Sequence, residues 1–205
     1  QGDGVSSNNA FDNKQTVKLD RSVLQEVQVI SGTFDAEYGQ AMSGVVNAVL
    51  KEGSAIYEWS AEAYAGGFVF PGRKARLTDD ELRPSGLQNY QISASGPTRL
   101  PGTIFLASAR RSLSDGFVTA YRLFVPTDSS DFEHKVFRPT GDGKKVPLSY
   151  SEDWSGVVKI TNHSLANAKL SYSAIFGAID ARRGSWSYAL NPDGLPVQKT
   201  HSLVH

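Results

Sequence analysis

The chain has 205 residues, no cysteine, and balanced charge, with 21 Lys plus Arg against 21 Asp plus Glu. That balance leaves no basic footprint for nucleic acid, and the missing cysteine removes disulfides, thiolate metal sites and a cysteine nucleophile. No apolar run approaches the roughly 20 residues of a spanning helix, which excludes a helical membrane protein but not a membrane barrel, whose signal is weak alternation over about ten residues per strand.

The chain starts at Gln1 without a signal peptide and reads as an internal piece of a longer protein. Residues 1–20 are polar and turn-rich. Val27, Val29 and Ile30 then form a β-rich run closed by Gly32, and Val45, Val46, Val49 and Leu50 form another, closed by Gly53. Between them Gly39 and Gly44 permit backbone angles that other residues resist, so the chain can turn tightly from one run to the next.

From Tyr57 the pattern alternates. Tyr57, Trp59, Ala61, Ala63 and Ala65 share one face, and Glu58, Ser60 and Glu62 share the other. A polar stretch, 71–86, precedes a second strand, with Tyr90, Ile92 and Ala94 against Gln91, Ser93 and Ser95. It stops at Gly96-Pro97. A short turn, 98–102, leads to a third strand, with Phe105, Ala107 and Ala109 opposite Ser108, Arg110 and Ser112. The long segment 117–153 reads as a mobile, charged and proline-bearing loop. A fourth strand runs from near Trp154 to Thr161, and a fifth carries Leu170, Tyr172, Ala174 and Phe176 opposite Lys169, Ser171 and Ser173. After Gly177 the chain reads as polar turn, with Asn191-Pro-Asp-Gly194 its strongest signal.

Long and short connections alternate strictly between these strands. That is the pattern of outer-membrane barrels, with short periplasmic turns and long extracellular loops. Aromatics near strand ends (Tyr57, Trp59, Trp154) match interfacial girdles. The expected fold is all-β: about five or six strands of an antiparallel transmembrane barrel, too few to close one. Glu58, Glu62, Gln91, Ser93, Arg110 and Lys169 are the candidate lumen-facing residues, with Ala61, Ile92 and Ala107 facing lipid.

The stretch from Glu26 to Lys51 resembles the C-terminal part of the plug domain of TonB-dependent outer-membrane receptors. Its Glu-Val-Gln-Val, Ala-Glu-Tyr-Gly and Gly-Val-Val-Asn pieces look most like the Oar-like branch, which carries a carboxypeptidase-regulatory-like extension; the Ser95-Gly-Pro97 turn is similar to that branch too. Met42-Ser43-Gly44, Ala48-Val49-Leu50 and Gln28 depart from the siderophore-receptor pattern. The resemblance implies an α+β plug ending near residue 53, then barrel strands over 54–205. It makes Glu37, Tyr38, Gly39, Gly44 and Asn47 a structural plug signature. It further implies a bacterial outer-membrane location, contact with outer-membrane lipid, energy from the inner-membrane TonB complex, and uptake of a scarce solute such as a peptide, an oligosaccharide or a metal chelate.

Nothing points to an enzyme or a cofactor. Asp79/Asp80 and Glu152/Asp153 are adjacent pairs whose side chains diverge, and the four histidines lack metal-ligand spacing. No nucleophile elbow, P-loop or dinucleotide fingerprint is present. Gly141-Asp-Gly143 reads as a plain turn, since the calcium-loop pattern around it is missing. The competing function is a secreted or surface β-protein that binds carbohydrate or acts as an adhesin. Such a sandwich would bury its apolar faces against a complementary sheet.

Overall fold

The computed structural model describes residues 23–30, 45–67, 85–131, 133–165 and 168–205. Glu37, Tyr38, Gly39 and Gly44 lie outside them, as do most of residues 71–86.

The fold is all-β and antiparallel. Strands β1 (Leu24–Ile30) and β2 (Val45–Leu50) form a two-stranded sheet, registered from Leu24 opposite Leu50 to Ile30 opposite Val45. A connector then leads into β3 (Glu58–Gly66), β4 (Leu87–Pro97) and β5 (Thr103–Asp115). Four short strands follow: β6 (Thr119–Tyr121), β7 (Ser130–Asp131), β8 (Val136–Phe137) and β9 (Lys145–Pro147). The long strands β10 (Tyr150–Leu165) and β11 (Ala168–Arg182) and the shorter β12 (Val197–Val204) complete the chain.

The main sheet has the order β12-β11-β10-β5-β4-β3. Apart from the insertion of β6–β9, it is an up-and-down meander. The strand ends that join β4 to β5 and β10 to β11 lie at one end of the sheet, and those that join β3 to β4, β5 to β10 and β11 to β12 lie at the other. The alternation of connection lengths read from the sequence is therefore an alternation of ends. Among the described residues no strand pairs with the outer edge of β3 or β12.

Three differences from the sequence reading have simple causes. Gly177 does not stop the fifth strand: it pairs with Ser155 on one side and Ser202 on the other, so its backbone is held from both neighbours. β12 went unread because Gln198, Lys199, Thr200 and His201 interrupt its apolar pattern. The segment 117–153 is structured. β6 pairs with β9 and β7 with β8, while the N–H groups of Tyr121 and Phe124 donate to the carbonyls of Ala189 and Leu190 in the next long connection. Ala120, Leu148 and Leu195 form a small buried cluster there, so two long connections fold together as a cap.

The main core is one-sided. Val23 and Leu50, both fully buried, pack on Leu106, Val157 and Ile175 of the sheet, with Leu24 and Val204 at the margin. Burying an aliphatic side chain is worth about 1.5–3 kcal/mol, so this cluster is what seats the hairpin.

Candidate functional site

Antiparallel partners project to the same side of a sheet. The register therefore sorts every strand residue onto one of two faces. Glu58 pairs with Ser95, Ser60 with Ser93 and Glu62 with Gln91; Ser93 then pairs with Ser108 and Gln91 with Arg110, which pairs with Ser155. These rows make one face rich in hydroxyl, amide and charged groups. The other face carries Trp59, Ala61, Ile92, Ala94, Ala107, Val158, Ile160, Tyr172 and Phe176, linked by the same registers.

The covered face is the polar one. Leu106, Val157 and Ile175 are apolar exceptions on it, and the β1–β2 hairpin sits over them. Ser95, Ser155, Lys159 and Thr161 are buried on this side as well. The apolar face stands open: Trp59 is 79% exposed, Leu170 60% and Tyr172 58%. This inverts the burial of a water-soluble sheet. At its long-connection end the apolar face gives way to charge. The Arg111 guanidinium lies 5.4 Å from the Trp154 ring and donates to Glu152 at 2.8 Å, and Lys199 pairs with Asp180 at 3.5 Å.

Bonds on the polar face fix its side chains. Ser60 and Ser93 share a hydrogen bond of 2.7 Å, and Arg110 Nε donates to Asn89 Oδ1 at 2.7 Å. A cleft of about 580 Å³ opens beside the connector, lined by Glu52, Ser54, Glu58, Ser60, Ser93 and Ser95. Donors and acceptors in such rows suit water or a polar solute.

The hairpin and connector are tied down near the short-turn end. Lys159, buried on β10, donates from Nζ to the Leu50 carbonyl at 3.1 Å. The Glu52 carboxylate pairs with Lys169 of β11 through one oxygen, and its other oxygen lies 3.5 Å from His163 Nε2. Lys51 N donates to the Val23 carbonyl at 2.7 Å.

At the opposite end Arg122 is the hub of the cap, donating to Asp193 at 2.7 Å and to Asp142 at 3.3 Å. The bond and charge of Asp193, then the charge of Asp142, raise its pKa further above the ordinary guanidinium value. Asp128 accepts from the Thr140 hydroxyl, from Val125 N and from Thr140 N, and these bonds hold its carboxyl below the usual range. Asp131 is lowered by the backbone and side-chain bonds of His134, and Asp142 first by the backbone N–H of Lys144.

Of the residues singled out from sequence, Glu58, Glu62, Gln91, Ser93 and Arg110 share the polar face, in neighbouring rows of three strands. Lys169 is apart from them, engaged by Glu52. Asn47 is opposite Gln28 in the hairpin. Glu52, Lys159 and His163 were not foreseen. Lys159 lies 109 positions from Leu50 and Lys169 lies 117 from Glu52, so no local spacing signals either contact. No family model matches the chain, and neither does any curated protein or solved structure.

Proposed function

We propose that the chain is part of a TonB-dependent outer-membrane receptor, a non-enzymatic importer. In this reading residues 54–205 supply barrel wall, and residues 1–53 supply the end of the plug, with β1–β2 seated inside. The apolar face meets outer-membrane lipid. The polar face lines the lumen and offers hydrogen bonds to a scarce solute: a peptide, an oligosaccharide or a metal chelate. The TonB complex of the inner membrane supplies energy by pulling on the plug.

One observation carries this reading: the hairpin covers the polar face while the apolar face stays exposed. A soluble sandwich buries the opposite face, whereas a membrane barrel puts apolar side chains outward and polar ones inward. Strand dimensions support it too. On β10 the apolar stretch is bounded by Glu152 and Asn162, which share its face. That span is about 33 Å along the strand at about 3.3 Å per residue, or about 25 Å of depth at a tilt of roughly 40°, close to the height of an outer-membrane apolar band. The charged end of the face then stands in the headgroup layer, on the side of the long connections.

The test is fractionation of bacteria producing the intact protein. The expected result is recovery in the outer membrane, with faster gel migration before boiling than after. Recovery from the periplasm or the medium as a soluble protein would favour the carbohydrate-binding or adhesin reading.

A further inference from the structure

We propose that Glu52, gripped by Lys169 and His163, is a latch that fastens the connector to the wall, so that a pull on the chain before β1 peels β1 off β2 and leaves β2 in place. This rests on the receptor reading above for the source of the pull, and on contacts alone for the latch.

The fastening has several points. Lys159 holds the Leu50 carbonyl, the last of β2. Glu52, two positions on, bridges to Lys169 of β11 and to the His163 ring of β10. Gly53 then passes so close to β5 that a Cβ there would meet the Phe105 carbonyl. The hairpin's two chain ends meet at this same place. Leu24 is opposite Leu50, and Lys51 N bonds to Val23 O. A pull at Val23 therefore loads the Lys51–Val23 bond first and then the ladder one bond after another, with the fixed β2 as template. Were the connector loose, the same pull would lift the hairpin from the wall as a body and expose Leu106, Val157 and Ile175.

Trypsin reports the latch directly, because Lys51 precedes Glu52. In the intact protein purified in detergent, the bond after Lys51 should resist cleavage. Lys169→Gln with His163→Gln leaves the cleavage site unaltered and should speed cutting there about fivefold, the scale of losing a half-exposed ion pair when cleavage follows the opening equilibrium. Lys169→Arg keeps the charge and should be cut at the parent's rate. The exchange of Glu52→Lys with Lys169→Glu should restore resistance relative to Glu52→Lys alone. Cleavage of the double variant at the parent's rate would overturn the latch. So would equal cleavage of Lys169→Arg and Lys169→Gln, which would show that charge is not what holds the connector. Neither rate depends on transport or membrane location, so a protein found outside the outer membrane would sink the receptor reading and leave this result standing.

Discussion

Gly53 shows how a single residue can fix the path of the chain. A Cβ at this position would lie 2.7 Å from the carbonyl carbon of Phe105, and the obstacle is backbone, which cannot rotate away. Gly53→Ala should cost about 1–3 kcal/mol, the scale of forced overpacking, and should loosen the connector; unchanged thermal stability would show that β5 yields there. The opposite face gives a sharper residue-level test. Ala107 pairs with Ala94 and Val158 in the middle of the apolar face. Arg at that site should cost about 2–4 kcal/mol if the face meets lipid at mid-depth, and the variant should fail to assemble in the outer membrane. Assembly equal to the parent's would mean that this face is wet. The same residue records what was legible in sequence. Ala107 and Arg110 were sorted to opposite sides by alternation alone, because a strand's period of 2 needs no tertiary information. Glu52 and Lys159 were not legible, because their partners come from strands far along the chain.

Among the elements, the hairpin and the cap behave differently. The hairpin is seated by an apolar cluster, while the cap adds to its own small apolar cluster a set of carboxylates that accept N–H bonds. Asp128, Asp131 and Asp142 all titrate below the ordinary 3.8. Their contribution is therefore complete above that value and fades as pH falls through the lower folded values. The amides of Val125, Glu133, Thr140 and Lys144, which donate to them, should keep their exchange protection above pH 3.8 and lose it as pH falls below that value, once intrinsic rates are corrected. Protection that stays constant would mean these bonds do not order the cap. The β7–β8 hairpin is the cap's exposed tip. Trypsin added to intact cells should cut after Lys135 and spare Arg99, which lies at the other end of the sheet. Cutting at Arg99 with the cap protected would invert the topology. The centres of β3, β4, β5, β10 and β11 were readable as alternating runs, and their ends were not. β10 and β11 extend beyond the apolar band, where Tyr150, Glu152, Asp180 and Arg182 carry no hydrophobic signal and the ladder alone continues the strand. The short strands of the cap likewise depend on pairing with one another, not on pattern.

For the whole molecule, the strand order, the segregation of long connections to one end and the two-faced sheet all follow from one repeated device, an alternating strand followed by a turn. The seating of the hairpin does not follow from it. It depends on Leu106, Val157 and Ile175 interrupting a polar face, and only the register shows that these lie together under Val23 and Leu50. The proposed receptor stands or falls on which face meets lipid. Because residues 1–205 hold no cysteine, single spin labels can be placed one at a time along β10 with no background from this part of the protein. In the protein reconstituted in lipid bilayers, labels at Gly156, Val158 and Ile160 should be accessible to oxygen and shielded from a water-soluble nickel relaxant, while labels at Ser155, Val157 and Thr161 should not show that lipid signature. A period of 2 with the opposite phase, or nickel access at Val158 and Ile160, would contradict the assignment of this face to the membrane.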